Sequence, residues 1–192
     1  MKFLPDLSRK LSSRLTPSIW FLSVVIFALF LVFILPEVSD RSYEVTQTRD
    51  SPDGSFFYTP ETLYRIAEQY GESGRSYYIK ERFSFDVIWP LVYWFFLTTS
   101  ITVLYRSIIS EKSLLLNLLP SFGVLFDYLE NLSTSAVMVF YPSKVPVISW
   151  AAPFFTSIKW ACIYASFVLI MIGVLLQSIL TCRKIVYKVK NR

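Results

Sequence analysis

Histidine is absent from this 192-residue chain, glycine occurs five times, cysteine twice, and charged residues make up only 17%. Without histidine the chain has no Ser-His-Asp triad, imidazole metal ligand or imidazole proton shuttle of its own. Two cysteines are too few for a cysteine-only zinc site. Cys162 and Cys182 lie in or at the end of one apolar run. Their twenty-residue spacing is about 30 Å of helix, beyond disulfide reach, so both read as apolar filler. So few glycines leave no GxxxG helix-packing motif and no Gly-rich phosphate loop. Charge falls well below the roughly one quarter usual in globular proteins. Hydrophobic residues reach 54%, which excludes intrinsic disorder.

What the chain has instead is long apolar runs. A bilayer crossing needs about 20 mostly apolar residues to span about 30 Å of hydrocarbon. Residues 18–35 carry no charge and end at Pro36-Glu37. Residues 87–105 are uncharged between Asp86 and Arg106, and 114–141 carry charge only at Asp127 and Glu130, with Asn131 beside them. Residues 150–182 are apolar except for Lys159, long enough to cross at a tilt. The expected fold is all-α: an integral membrane four-helix bundle with a short helical extracytoplasmic cap between the first two spans. Its expected divisions are a basic segment 1–17, spans 18–36, 86–106, 114–141 and 149–182, and a basic tail 183–192. An extracytoplasmic loop 37–85 with a helical hairpin, a cytoplasmic turn 107–113 and an extracytoplasmic turn 142–148 join them. The first run is too long for a typical signal peptide, and no small-x-small site follows it, so it reads as a retained helix.

Charge sets the expected orientation. Lys2, Arg9, Lys10 and Arg14 precede the first run against Asp6, and Arg106 and Lys112 flank Glu111. The tail holds Arg183, Lys184, Lys188, Lys190 and Arg192 with no acid, whereas 37–85 holds nine acids and six bases. The positive-inside rule then puts both termini in the cytoplasm of a multi-pass plasma-membrane protein. The net charge of +5 therefore faces anionic lipid of the cytoplasmic leaflet and does not signal nucleic acid. Leu4, Leu7, Leu11 and Leu15 fall on one helical face, the pattern of a short interfacial helix. The other reading is a basic tail that only fixes topology.

The 37–85 segment divides at Gly54. Residues 37–54 are polar, with a Ser-Pro-Asp-Gly turn. Thr59-Pro60 starts a helix, with Thr59 as its N-cap. Leu63, Ile66, Ala67 and Tyr70 follow at helical spacing, and Gly71-Glu72-Ser73-Gly74 is expected to stop it. Residues 75–85 resume and feed the second span, giving a hairpin over the outer mouth, either a binding lid or a passive cover.

The informative residues are Asp127, Glu130 and Asn131, which share a helical face. Counting from Phe140, Asp127 lies ~20 Å inside, near the bilayer middle. A carboxylate there costs roughly 2.5–3.5 kcal/mol on insertion scales, so both acids must face the bundle interior, a water-filled cavity or a partner. Thr98 and Thr102 in the second span reach a matching depth and offer hydroxyls. Lys159, the one cation within the spans, lies about 9 Å inside when counted from Pro153. Side chains lean toward their own helix N-terminus, which weakens a Glu130–Lys159 pair and favours snorkelling of Lys159. Asp86, Pro90 and Tyr93 share a face at the outer end of the second span, where Arg75 or Arg82 serves Asp86 if the hairpin folds over the mouth.

SPDGSFFYTPETLYRIAEQYGESGRSYYIKERFSFDVIWPLVYWFFL, followed by PSFGVLFDYLEN, resembles small four-helix membrane proteins of prokaryotes. The resemblance implies no activity. It does imply that Gly71, Gly74, Arg75, Asp86, Pro90, Tyr93, Asp127, Glu130 and Asn131 form one constellation. The expected function is that of a small multi-pass membrane protein whose interior acidic site orders the bundle or binds an ion, small ligand or lipid. The alternatives are a proton- or cation-coupled transporter or channel component, an accessory subunit of a membrane complex, and an enzyme acting on a lipid-borne substrate. Paired carboxylates suit acid–base chemistry, yet no nucleophile–base pair accompanies them, so a non-enzymatic role is the leading expectation. No cofactor or metal is expected. The expected partners are the bilayer, anionic lipids, and a protein partner or second copy.

Overall fold

A computed structural model describes residues 3–108 and 111–190, and helix accounts for 88% of it, with no strand among the described residues. Lys2, Arg192, the middle of the 106–112 connection and the side chains of Glu111, Lys112 and Lys188 lie outside what is described. Among the described residues seven α-helices follow in order: α1 (Phe3–Arg14), α2 (Pro17–Leu29), α3 (Leu35–Thr46), α4 (Pro60–Arg82), α5 (Phe85–Tyr105), α6 (Leu119–Phe140) and α7 (Pro146–Lys190). Three helical stretches among the described residues are long and apolar enough to cross a membrane: Pro17–Thr46, Pro60–Tyr105 and Pro146–Tyr187.

The first of these departs from the expected boundary. Thr16 caps α2 by accepting from the Ile19 N–H at 3.3 Å, with Pro17 in the first turn. The helix then runs through Pro36-Glu37 to Thr46, where Gln47 takes a left-handed φ of 54°. Pro36 ought to end an α-helix, because it lacks an N–H and its ring meets the carbonyl four residues back. A π-helical turn at Phe30–Ile34 lies immediately before it, and such a bulge loosens the hydrogen-bond ladder where the ring must fit. The expected loop over 37–54 is thus helix for its first half.

Thr59 caps α4, accepting from the Thr62 N–H at 3.3 Å. The expected stop at 71–74 becomes a kink. Gly71 alone breaks the helical dihedrals, at φ 61° and ψ −173°, a region essentially reserved for glycine. Gly74 is helical and lies against the Tyr70 side chain. Beyond the kink, α4 leads almost directly into α5. Leu63, Ile66, Ala67, Tyr70 and Tyr78 of α4 pack with Tyr58 on Val137 and Met138 of α6 and Ala152 of α7.

α5 is the central element, in contact with α2, α4, α6 and α7. A 3-10 turn at Glu111–Leu118 precedes α6, shortening the expected third span at its start. α6 and α7 form the most extensive pairing in the molecule. α7 passes through Pro153 and reaches 45 residues, about 68 Å at 1.5 Å per residue. Gly173 of α7 approaches α5 closely: a Cβ there would come 2.9 Å from the Tyr105 ring and 3.0 Å from Leu104. Gln177 donates to the Leu104 carbonyl at 2.6 Å, and Arg106 donates to the Ser12 carbonyl at 2.5 Å and to that of Leu15. α1, the end of α5 and the later part of α7 therefore gather at one end of the bundle, and α4 lies toward the other.

Candidate functional site

Two sets of buried or partly buried charged side chains lie near the α4 end. The first straddles the α4–α5 junction, where Tyr78, Arg82 and Asp86 recur at helical spacing. The Arg82 guanidinium contacts Asp53 at 2.7 Å through one nitrogen and Asp86 at 2.8 Å through another, and it lies 4.5 Å from the centre of the Tyr78 ring. Asp53 also accepts from Ser51 at 2.9 Å and from the Tyr78 hydroxyl at 3.4 Å. Burial pushes the Asp53 carboxyl up, but Arg82, then Lys159 and the Ser51 hydrogen bond, more than offset it and hold it below its ordinary 3.8. It is therefore ionised at neutral pH.

The second set joins α6 to α7 and α5. Lys159 forms an ion pair with Glu130, and both are buried, at 5% and 0% exposure. The Thr156 hydroxyl lies 2.6 Å from the other Glu130 oxygen and 3.2 Å from the Tyr58 hydroxyl. Burial, with the Glu130 carboxylate second, raises the Tyr58 phenol far above its usual range and keeps it protonated. Asp127 accepts from the Tyr93 hydroxyl at 2.9 Å and from the Asn131 amide at 3.3 Å. All the buried polar residues of α6 lie on one side, and its exposed Phe122, Leu125, Leu132, Val139 and Phe140 are apolar.

A cavity of about 720 Å³ connects the two sets. Asp53, Arg82, Asp86, Tyr93, Asp127 and Lys159 line its polar part, and Phe27, Leu31, Leu35, Trp89, Ile163 and Phe167 line its apolar part. It lies between α2–α3 on one side and α5 and α7 on the other, beneath residues 48–54. α2 packs along α5 and makes at most marginal contact with α7, which leaves room for the cavity between those helices.

The structure brings together most of the residues singled out by sequence and separates a few. Asp127, Glu130, Asn131 and Lys159 form one neighbourhood. The Glu130–Lys159 pair, against which the opposed lean of the two helices argues, is present. The reason is where α7 begins: counted from Pro146, Lys159 lies ~20 Å along its helix, against ~15 Å for Glu130 from Phe140. The lysine leans toward the α4 end of the bundle and the glutamate away from it, which brings their tips together. Thr98 and Thr102 do not join the carboxylates. Thr102 accepts from the Asn117 amide at 3.3 Å near α1, and Thr98 is buried with no side-chain hydrogen-bond partner among the described residues. Of the outer group, Asp86 and Tyr93 both line the cavity, but Arg75 points elsewhere, donating to the Ala67 carbonyl at 3.1 Å over the Tyr141 ring. Arg82 serves Asp86 instead.

Asp53 escaped the sequence reading as a site residue. It sits in the Ser-Pro-Asp-Gly turn, where an aspartate is ordinary, and only the docking of that turn beside Arg82 gives it a role. Compared with family models, curated proteins and solved structures, the chain matches none of the three.

Proposed function

We propose that this chain is a four-span plasma-membrane protein that holds an amphipathic molecule in the cavity between α2–α3, α5 and α7. In this reading α6 is the fourth span. Its average hydropathy is lowered by Asp127, Glu130 and Asn131, which face inward, and its outward face is apolar, as contact with lipid requires. α4 lies over the extracytoplasmic mouth. The basic residues of α1 and of the α7 tail share the opposite end, which fits cytoplasmic termini beside anionic lipid.

The observation that carries the binding reading is the lining of the 720 Å³ cavity, with charged and phenolic groups at one part and aliphatic and aromatic walls at the other. That division matches a molecule with a polar head and an apolar chain, and the volume falls in the range of small-molecule sites. The Glu130–Lys159 pair has a different job. Glu130 does not line the cavity, and its pairing with Lys159 and Thr156 sets the register of α6 on α7.

The test is native mass spectrometry of the full chain taken from phospholipid vesicles. The wild type is expected to keep one lipid per chain through delipidation, and Leu35→Trp, which fills the cavity wall, to lose it. Failure of the wild type to retain lipid, together with failure to bind a soluble amphiphile, rejects the reading. Conversion of the retained lipid during incubation moves the assignment to an enzyme.

A further inference from the structure

The charges around the cavity do not balance. Four acids, Asp53, Asp86, Asp127 and Glu130, meet two bases, Arg82 and Lys159. Lys159 is committed to Glu130, and Arg82 is shared between Asp53 and Asp86. The other two charged residues in the lining are matched at the rim: Arg49 pairs with Asp40 at 3.5 Å and Asp50 with Arg65 at 3.1 Å. The formal excess is two negative charges, and it falls on groups that face the cavity.

The individual groups agree with that sum. Asp86 is 7% exposed, and its Oδ2 accepts no hydrogen bond, having only the shared guanidinium opposite. Asp127, also 7% exposed, hydrogen-bonds to a phenol and an amide, which orient a carboxylate without cancelling its charge, and it shares the field of Lys159 with Glu130, the acid that lysine contacts directly. A buried carboxylate without a countercharge is costly, and a cation brought to it recovers much of that cost. Trp89, Tyr93 and Trp160 stand around the same space, and Lys159 already lies 5.4 Å from the centre of the Trp160 ring, an arrangement in which an aromatic surface attracts a cation. The Trp160 indole N–H is buried with no acceptor, so it remains available to an ester or phosphate oxygen. No base lining the cavity is free of an acidic partner to take an anionic head group.

We propose that the head group selected by this cavity carries an ammonium, drawn to the Asp86 and Asp127 carboxylates, with its apolar chain lying along Phe27, Leu31, Leu35 and Phe167. This rests on the amphiphile-binding reading above and adds the sign of the head-group charge. Two sources supply that chemistry: an aminophospholipid of the bilayer, or a hydrophobic amine from solution.

The experiment reconstitutes the full-length protein into vesicles of equal phosphatidylethanolamine and phosphatidylglycerol with identical acyl chains, and measures the ratio of the two lipids that remain bound. The expected result is phosphatidylethanolamine over phosphatidylglycerol by about tenfold, equivalent to about 1.4 kcal/mol of discrimination. Asp86→Asn and Asp127→Asn are each expected to return the ratio toward that of the bulk. Asp86→Glu, which keeps the charge, restores the preference and guards against a loss that merely reflects misfolding. Retention of lipid at the bulk ratio, or enriched in phosphatidylglycerol, overturns the ammonium assignment and leaves the cavity reading standing. If neither lipid is retained, calorimetric titration of the protein in phosphatidylcholine nanodiscs with octylamine decides. Binding that Asp86→Asn or Asp127→Asn abolishes assigns the site to a soluble amine, and absence of binding overturns both readings together.

Discussion

Lys159 is the residue on which the interior depends most directly. It is the cation that pairs directly with Glu130, and the pair sits where water has little access. Replacing Lys159 by Met leaves a buried carboxylate alone, a loss that in other proteins costs about 3–5 kcal/mol. Replacing both Lys159 and Glu130 by Met removes the charge problem and is expected to recover most of that loss. Unfolding in mixed micelles checks this: a low midpoint for the single variant and a near-normal one for the double. Equal losses in both would show that the pair does not act as a unit. Burial of the α6 acids was readable from sequence, because carboxylates at i and i+3 in an apolar run have nowhere else to go. The partners were not. Choosing Lys159 required knowing that α7 begins at Pro146, and choosing Arg82 over Arg75 required knowing how α4 bends at Gly71.

Among the elements, α1 is held differently from the rest. Its contact with the bundle runs through Ser8, Ser12 and Leu15, with Leu4 and Leu7 left exposed. Asn117, fully buried, donates to the Ser8 carbonyl at 3.4 Å, the Ser12 hydroxyl at 3.3 Å and Thr102 at 3.3 Å, and Arg106 holds the last carbonyls of the helix. Asn117→Ala removes all three donor contacts. Amide exchange across 3–14 is expected to accelerate strongly, with α5 and α7 unchanged; uniform exchange throughout would mean that packing alone retains α1. The leucine spacing in this segment marked a helix, but the polar latch was invisible because Asn117 lies about a hundred residues away. The extension of α2 through Pro36 into α3 was hidden for another reason. Proline and a polar sequence together argue for a helix end, and only the π turn before them permits continuation.

At the scale of the whole molecule, the four-span proposal fixes which surfaces are wet and on which side. Cys182 is exposed at the α7 end, and Ser55 is exposed near the α4 end. In intact cells a membrane-impermeant maleimide is expected to label Ser55→Cys and to spare Cys182 until the membrane is opened. Labelling of Cys182 in intact cells would reverse or break the topology. The long apolar runs made the helical architecture legible from sequence. They did not reveal the lateral space beside α2, which depends on how three helices diverge and leaves no mark in hydropathy.

α7 carries a last consequence. Its uncharged or nearly uncharged stretch, 150–182, is about 50 Å long as a helix, whereas typical bilayer hydrocarbon is about 30 Å thick. An element so oversized gains by residing where lipids are longest or most ordered, since each ångström of mismatch costs a fraction of a kcal/mol. For the proposed four-span protein, thickness itself then becomes an address, drawing it toward the stoutest membrane within reach and away from thinner ones.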